Sequence, residues 1–511
     1  MRSSRIAVIG AGIAGLVAAL ELAAAGFEVC LFERSASPGG KMREIEVGGR
    51  RMDAGPTVFT LREVFDEIFA HAGDSLDAHL KLVPARVLAR HAWSAGERLD
   101  LYADLRQSAD AIGRFAGRSE AEGFVRFAAQ ARRIFTTLEQ TFIRAARPTP
   151  FDLVRRAGFG GLGELLNINP FTTLSQDLKH FFADARLRQL FGHYATYCGS
   201  SPFQSPATLM LIAHVEQAGV WYVEGGMHRL AAALAAVAAR HGAALNYSTE
   251  IARIHVEGAR VSAVETAGGE RIAVDAVVCN ADNGALAAGL FGPAAARSVR
   301  PTARAARSLS AVTWNMLART EGFELARHTV FFSADYAAEF DDIFRRGRLP
   351  SGPTVYVCAQ DRCDPGGESL AAERLFCLVN APPTGDVHPF ESAEIEQCES
   401  RVFELLRTCG LTVHRTSAPQ VTTPADFERL YPATGGALYG PASHGWRASF
   451  VRPGSRSSIP GLYLAGGSTH PGAGVPMAAT SGRLAAASIV EDHTSIRRSR
   501  PVAMPGGTSM R

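Results

Sequence analysis

Residues 6–33 read IAVIGAGIAGLVAALELAAAGFEVCLFE, and this stretch decides the fold. The apolar run Ile6–Ile9 predicts a short strand, a glycine-rich turn follows, and Leu16–Ala25 has the composition of a helix that Gly26 ends. Glu28–Phe32 then predicts a second strand, parallel to the first. The stretch therefore indicates a βαβ unit of the Rossmann type, in an α/β sheet covered on both faces.

The glycines of this turn have separate physical tasks. Gly10 allows the tight turn, Gly12 lets a pyrophosphate approach the backbone, and Gly15 lets the helix pack closely on the strand. The helix N-terminus then faces the phosphates, and Glu33 at the end of the second strand accepts the ribose hydroxyls. A second GxGxxG, GFGGLG at 158–163, has no buried strand before it, so we expect a flexible connector there.

The start of the chain imitates a secretory leader, because Arg2 and Arg5 precede an apolar run. Glycines at three fixed positions fit a strand, turn and helix instead, so we expect no signal peptide. Elsewhere no stretch reaches the ~18 uncharged apolar residues that a spanning helix needs, so we expect no transmembrane helix.

The bulk composition argues against several classes of function. The 511 residues suffice for two or three domains, and the formal net charge of +3 favours no nucleic-acid partner. The 8 cysteines are scattered without a CxxC or a His/Cys cluster, so we expect reduced thiols and no metal site.

Further glycine-rich segments favour FAD over a nicotinamide cofactor. SASPGGKMR at 35–43 and DAGPT at 53–57 follow the first unit, and LAGGSTHPGAGVPM at 464–477 predicts strand, turn and helix. A flavin enzyme uses such a loop to bring amides and a cation under the pyrophosphate and to reach the isoalloxazine. The C-terminal turn would aim a helix N-terminus at the electron-rich edge of the flavin.

Four segments together resemble the phytoene desaturase family: residues 10–42, DAGPT, VVCNAD at 277–282 and GLYLAGGSTHPGAGVPMAATSGRLAA at 461–486. Residues 193–227 are most similar to its 1-hydroxycarotenoid 3,4-desaturase branch. The resemblance implies FAD-dependent introduction of the C3–C4 double bond into acyclic 1-hydroxycarotenoids such as hydroxyneurosporene. It implies flavin N5 as hydride acceptor, quinone or oxygen as electron acceptor, and peripheral contact with the cytoplasmic side of the inner membrane. Alternatives are a phytoene or neurosporene desaturase acting on hydrocarbons, and a non-redox carotenoid isomerase.

The expected FAD site unites the glycine-rich elements. The resemblance implies that the cation of Lys41 faces a phosphate and that the backbone of Ile251 touches adenine. The expected cofactor-binding residues are Gly10, Gly12, Gly15, Glu33, Arg34, Gly39, Gly40, Lys41, Gly55, Pro56, Thr57, Ile251, Gly466, Gly467, His470, Gly474, Val475 and Met477.

Selectivity for the substrate hydroxyl has its own candidates. A C1 hydroxyl lies two carbons from the C3–C4 bond, so it must occupy the same buried pocket, where an unpaired hydroxyl costs ~1–3 kcal/mol. We favour His214, because its apolar neighbours predict an inward-pointing side chain; the alternative is a core histidine bonded to a backbone carbonyl. The candidates are His193, Tyr194, Thr196, Tyr197, Ser200, Ser201, Gln204, His214 and Glu216.

No catalytic side chain is named, because the flavin and the polyene carry the chemistry. His193, His214, His228 and His444 are more often packing residues than acids or bases, and we expect a structural role for His470 beside the cofactor. Residues 62–190 are expected to be mainly helical.

The FAD-binding domain is expected to be discontinuous, with a second sheet and helices forming the substrate-binding and membrane-facing region. Apolar helices between Phe124 and Phe182 are the expected lipid contacts, with the basic residues Arg144, Arg147, Arg155 and Arg156. The expected bounds are 1–90, 225–300 and 455–495 for the FAD-binding domain, 91–224 and 301–454 for the substrate region, and 496–511 for a disordered tail.

Overall fold

A five-stranded parallel sheet forms the centre of the computed structural model, which describes residues 4–146, 149, 169, 171–363 and 372–499. All four neighbouring pairs of strands are parallel. The strands come from the beginning, the middle and the end of the chain, so the sheet brings the distant glycine-rich segments together. Their spatial order is Ala244–Asn246, Glu28–Phe32, Arg5–Ile9, Ala276–Cys279 and Leu462–Leu464.

Both faces of this sheet are buried, which explains its uninterrupted apolar strands. In the strand Arg5–Ile9, Ile6 and Val8 pack into the core on the helical side, whereas Ala7 and Ile9 pack into the core on the opposite side. The helical layer contains Ile13–Ala24, His228–Arg240 and Val475–Ser499. The opposite layer is an antiparallel sheet of Ile251–Glu257, Arg260–Thr266 and Arg271–Ala273.

A second, larger sheet has one face covered by a helix. Its other face is directed toward the glycine-rich loops that are expected to bind the flavin. Trp314 and Met316 share a core with Cys398 and Val402 of the helix Ser392–Thr408. The alternate residues Thr313 and Asn315 project from the other face. The eight strands are Leu411–Arg415, Ser310–Gly322, Glu373–Ala381, Val355–Ala359, His328–Phe331, Val87–Ser94 and Glu97–Tyr102 in spatial order, with Gln420–Thr422 paired to Ser310–Gly322.

The prediction that residues 62–190 are mainly helical is wrong for Leu82–Pro84, Val87–Ser94 and Glu97–Tyr102, which are strands. Val87–Ser94 pairs in parallel with His328–Phe331, a partner so distant in sequence that no local pattern indicates it. The C-terminal helix is also longer than expected, since it ends at Ser499 and includes the first residues of the predicted tail. The predicted connector at 158–163 lies outside the described residues.

The remaining elements are short sheets and helices around these two bodies. Glu44–Val47 pairs with Arg50–Asp53, and Val220–Val223 pairs with Phe59–Thr60 and Leu82–Pro84. The other helices are Arg62–His71, Leu105–Ala116, Arg118–Leu138 with a π-helical continuation at Glu139–Ile143, Leu174–Asp177, Ala185–Gly192, Leu211–Ala218, Asn283–Ala287, Pro293–Ala296, Tyr336–Phe344, Pro424–Leu430 and Ala448–Val451. Within the described ranges, no helix has the length and apolar character needed to cross a bilayer.

Candidate flavin site

The N-terminal glycine turn is built so that side chains cannot enter it. Gly10 has a φ of +97° and donates its N–H to the Phe32 carbonyl over 2.8 Å. A Cβ on Gly15 would overlap the Gly10 carbonyl oxygen, and a Cβ on Gly12 would lie 2.7 Å from Oδ1 of Asn280. The turn therefore presents bare backbone at the N-terminus of the helix Ile13–Ala24.

Asn280 links the N-terminal and C-terminal glycine turns, a role that sequence reasoning missed. Its backbone N–H donates to Ile9 over 2.8 Å, and its Nδ2 donates to the Ala465 carbonyl over 3.1 Å. A Cβ on Gly466 would lie 2.9 Å from the same Nδ2. The available signal was its place in VVCNAD, directly after a buried strand whose carboxyl end faces the ligand edge of the sheet.

Glu33 lies at the expected strand end with its carboxylate aimed back at the turn. Its Oε2 accepts from the Ala11 N–H over 2.7 Å and its Oε1 from the Ser35 N–H over 2.8 Å. Each oxygen retains a lone pair for a further donor such as a ribose hydroxyl. Ile251 is buried at the start of its strand, and Thr249 just before it donates to the Glu33 carbonyl over 2.8 Å.

Arg34 behaves differently from Glu33. Its side chain is exposed and donates to the Arg429 and Leu430 carbonyls, at the end of the helix Pro424–Leu430. The guanidinium therefore ties the residue after the second strand to the C-terminal end of that helix.

The second glycine pair lies directly against the first turn. Gly39 donates its N–H to the Ala11 carbonyl over 2.9 Å, and a Cβ on Gly40 would lie 3.1 Å from Cα of Gly12. Gly39 and Gly40 have φ values of +126° and +58°, a region that favours glycine. The two loops therefore approach each other through backbone alone.

Lys41 is held by residues 431–438, which form a loop over the second glycine pair, Gly39 and Gly40. Its Nζ donates to the Leu438 carbonyl and stands 5.2 Å from the centre of the Tyr431 ring. Burial lowers the pKa of Lys41, and the nearby Asp282 opposes that shift. Tyr431 also donates to the Gly40 carbonyl over 3.1 Å. The covering loop is a further feature that sequence reasoning missed.

Asp53 fixes the DAGPT loop between a helix and the larger sheet. Its carboxylate accepts the N–H groups of Met227 and His228, over 2.8 and 3.2 Å, at the start of the helix His228–Arg240. Its backbone exchanges two hydrogen bonds with the Gln360 side chain, of 3.0 and 2.9 Å. Burial raises the pKa of Asp53, and the two backbone donors oppose this.

The rest of this loop reaches the larger sheet and the second glycine pair. A Cβ on Gly55 would overlap the Lys41 carbonyl oxygen, so the loop lies flat against its neighbour. Pro56 is partly exposed. Thr57 is buried, and its Oγ1 lies 2.7 Å from the hydroxyl of Tyr356.

The C-terminal turn is anchored at several points. Gly466 donates its N–H to the Ser481 hydroxyl over 2.8 Å, and the Gly467 carbonyl accepts from Arg452 over 2.6 Å. The buried Arg452 also donates to the carbonyls of Pro441 and Tyr439, so it clamps three backbone groups. Gly474 has a φ of +109°, and the helix with Val475 and Met477 starts directly after it.

His470 joins this turn to the π-helical end of Arg118–Leu138. Its Nε2 lies 2.9 Å from the carbonyls of both Phe142 and Ala145, so this nitrogen carries the proton and donates. Burial lowers the pKa of His470 to about 4, which keeps the ring neutral at pH 7. The contacts of His470 are structural ones.

An aromatic chamber lies over the inner face of the larger sheet. Tyr356 and Leu378 stand on central strands of this sheet and yet remain partly accessible, and we call the space that reaches them the aromatic chamber. Tyr356 also lies 2.6 Å from Nδ1 of His328. Tyr197 is partly accessible, and its ring lies edge-on to that of His193 at 6.1 Å between centroids.

The hydroxyl candidates are divided between this chamber and its surroundings. His193 bonds the Tyr336 hydroxyl over 3.1 Å, and burial lowers the pKa of His193 to about 3. Thr196, Ser200 and Ser201 are buried and hold nearby backbone or side-chain groups, whereas Gln204 is exposed.

Two further histidines, His444 and His228, form hydrogen bonds with backbone groups. His444 accepts the Ser201 N–H over 3.0 Å, and His228 donates to the Pro38 carbonyl over 2.9 Å. In the described part of the chain, no group of His, Cys, Asp and Glu side chains could hold a metal ion.

The structure places the favoured candidate, His214, against the helix Arg118–Leu138. His214 is half-buried, and its ring packs against Phe135 at 5.1 Å between centroids, close to Arg132 and Glu139. Successive helical residues turn by ~100°, so Glu216 points to nearly the opposite side. Glu216 is the residue that this helix buries.

Comparison with known proteins identifies the family. The chain matches the flavin containing amine oxidoreductases over residues 13–490. It is 55% identical to the hydroxyneurosporene desaturase of Rubrivivax gelatinosus, across 100% of this chain and 98% of that protein. It is 44% identical to the hydroxyneurosporene desaturase of Cereibacter sphaeroides, across 97% and 99%. Its fold is similar to that of an oxidoreductase from Methanosarcina mazei, with a TM-score of 0.57 at 16% identity, across 95% of this chain and 100% of that one.

The expected mixed α/β architecture is thus confirmed, and the glycine turns, Glu33 and two helix N-termini fit a flavin dinucleotide. The chain is a flavin-dependent oxidoreductase and belongs to the carotenoid desaturases of the flavin-containing amine oxidoreductase family.

Proposed function

We propose that this chain binds FAD and introduces the C3–C4 double bond into acyclic 1-hydroxycarotenoids of the hydroxyneurosporene type. The observation that carries the proposal is the hydrogen bond between Thr57 of the DAGPT loop, residues 53–57, and Tyr356 of the aromatic chamber. A polyene in this chamber would lie beside Thr57, at the end of the loop that is expected to reach the isoalloxazine of the flavin. Similarity to two hydroxyneurosporene desaturases supports this choice of substrate.

Bound FAD would supply the hydride acceptor for the reaction. The glycine turns and Glu33 would hold its nucleotide, the Lys41 cation would face a phosphate, and the helix at Val475 would lie toward its far end. The chamber residues would position the C3–C4 bond and exclude water. His193, His328 and His470 are neutral at pH 7, since burial lowers their pKa values to between about 3 and about 4. The polyene itself would delocalise the developing positive charge.

The reaction and its alternatives differ in the mass of the product. Desaturation removes two hydrogens, one as hydride and one as a proton, whereas isomerisation removes none. Supplying the purified enzyme with hydroxyneurosporene or neurosporene, with quinone or oxygen as electron acceptor, separates the cases. We expect the loss of two hydrogens from hydroxyneurosporene; faster reaction of neurosporene would favour a hydrocarbon desaturase, and an unchanged mass with altered retention an isomerase.

Peripheral contact with the cytoplasmic side of the inner membrane belongs to this proposal, because the substrate dissolves only in lipid. In the described part of the range first expected to touch lipid, Phe124 and Phe182 themselves are core residues. Arg144 pairs with Glu67 and Glu139. Arg147, Arg155 and Arg156 lie outside the described residues.

An exposed apolar surface offers a better lipid contact. Phe171 and Trp446 are 73% and 45% exposed and form an edge-to-face pair at 5.5 Å, and Val451 is 70% exposed. Arg447 is available to lipid phosphates beside them. The segment is tied to Gln204, whose carbonyl accepts the Gly445 N–H over 2.8 Å. Next to Gln204, Phe203 is 40% exposed and lies 6.2 Å from Tyr336 between ring centroids. A carotenoid could therefore pass from this surface toward the chamber.

A further inference from the structure

Tyr356 is held at two points by its hydroxyl. The phenol oxygen lies 2.6 Å from Nδ1 of His328 and 2.7 Å from Oγ1 of Thr57. The ring also stacks on the His328 ring at 6.0 Å between centroids, with 15° between the two planes. Val330 is opposite Tyr356 on the neighbouring strand, so His328 lies two residues along on the same face of the sheet. The phenol is therefore fixed between the larger sheet and the DAGPT loop.

His328 has the properties of a positioning residue. It is 3% exposed, and burial lowers the pKa of His328 to about 3, so the ring is neutral at pH 7. In the part of the chain that the structure describes, Nε2 of this ring has no hydrogen-bond partner. The hydrogen bond from Nδ1 therefore connects the histidine to Tyr356 and fixes the direction of the phenol.

The Tyr356 hydroxyl can form a further hydrogen bond. A hydroxyl carries one hydrogen and two lone pairs, and the contacts with His328 and Thr57 use two of these three. Tyr356 is also partly accessible, although its strand is paired on both sides within the sheet. The side chain therefore offers an oriented hydroxyl to a molecule in the aromatic chamber.

The position of the substrate hydroxyl is restricted by its own chemistry. C1 is two carbons from the C3–C4 bond, so a substrate aligned with a flavin brings its hydroxyl into the same part of the chamber as the bond that reacts. Thr57 ends the loop that is expected to reach the isoalloxazine, and the Tyr356 hydroxyl is bonded to it. His193, one of the candidates named from the sequence, is bonded to Tyr336 instead.

We propose that Tyr356 recognises the C1 hydroxyl of the substrate through a hydrogen bond, and that His328 positions the phenol for this contact. The inference rests on the proposed function and adds a specificity-determining residue to it. A buried site built to bond a hydroxyl is left with an unpaired polar group when the hydrocarbon analogue binds. Such a site rejects the analogue strongly, which an apolar pocket does not.

The test compares kcat/KM on hydroxyneurosporene with kcat/KM on neurosporene, together with flavin content and melting temperature. Tyr356→Phe keeps the ring and removes only the hydroxyl. It should keep flavin and lower the ratio of the two values by about tenfold or more, mainly through hydroxyneurosporene. Tyr222→Phe is the matched control and should leave the ratio unchanged. Tyr222 packs on the same histidine ring at 5.8 Å, but it is 4% exposed and donates to the Val87 carbonyl.

The role of His328 has its own readout. His328→Leu should lower the ratio by a smaller factor, because the phenol remains but loses the partner that orients it. His328→Asn places an amide near the position of Nδ1 and should restore part of the ratio. A merely structural role would instead change melting temperature and affect both substrates alike.

The outcomes separate the two proposals. A flavin-loaded Tyr356→Phe enzyme with an unchanged ratio overturns the inference, and so does an equal fall of the ratio in Tyr222→Phe. If Tyr356→Phe does not retain flavin, an unchanged ratio in His328→Leu overturns it equally. A wild-type enzyme that does not prefer the hydroxylated substrate contradicts the proposed function itself.

Discussion

Asn280 stands so close to Gly12 that a Cβ on Gly12 would lie 2.7 Å from its Oδ1. Gly12 is therefore constrained twice, by Asn280 on one side and by the pyrophosphate that the turn is expected to bind on the other. The two constraints can be separated by mutation.

Gly12→Val should abolish flavin binding, measured as bound flavin absorbance per chain. Gly12→Ala should destabilise the fold through Asn280, so the double variant Gly12→Ala with Asn280→Ala should lose less melting temperature than the two single variants lose together, without recovering flavin affinity. Full flavin occupancy in Gly12→Val would show that the N-terminal turn does not hold the cofactor.

Removing the Asp53 carboxyl should weaken the attachment of the DAGPT loop to the start of the helix His228–Arg240. Asp53→Ala leaves the Met227 and His228 N–H groups without their acceptor, which costs about 1–3 kcal/mol. Chemical denaturation and flavin titration measure both effects. Glu63→Ala, in the first turn of the helix Arg62–His71, is the control and should change neither value. Wild-type stability in Asp53→Ala would contradict this role.

Stability should fall in acid as the buried histidines acquire protons. Burial lowers the pKa of His444 to about 4, below the usual 6.5, so its neutral form is favoured by folding. Its contribution is complete above pH 6.5 and is lost as pH falls toward 4, at no more than about 1.4 kcal/mol per pH unit. His444→Gln keeps an acceptor for the Ser201 N–H and should show a shallower loss of melting temperature between these values. A slope identical to that of the wild type would be the contrary result.

Membrane contact should depend on the exposed aromatic pair. Phe171→Ser with Trp446→Ser should reduce flotation with anionic liposomes while flavin content stays unchanged. Val387→Ser removes a side chain of comparable exposure, 48%, elsewhere on the surface and serves as the matched control. Equal flotation of both variants and the wild type would exclude this surface as the lipid contact.

The parts of the site that depend on local sequence could be predicted from the sequence. Gly10, Gly12 and Gly15 act through the backbone of one turn, and Glu33 directly follows the second strand of the same βαβ unit. The uninterrupted apolar run Ile6–Ile9 likewise indicated a sheet with two buried faces.

The parts that depend on distant pairings could not. Asn280 acquires its role only when its strand joins Arg5–Ile9, and Arg452 only when three separate carbonyls meet around it. For His214 the apolar neighbours were read correctly, but the helix turns that residue toward Phe135 and buries Glu216 instead. Side-chain direction on so short a helix depends on what packs against it.

The most direct measurement is the mass of the product formed from hydroxyneurosporene by the purified, flavin-loaded enzyme. The proposed function predicts a product lighter by two hydrogens, with the new double bond at C3–C4 and the hydroxyl retained. An unchanged mass, or desaturation of neurosporene at least as fast as of hydroxyneurosporene, would contradict it.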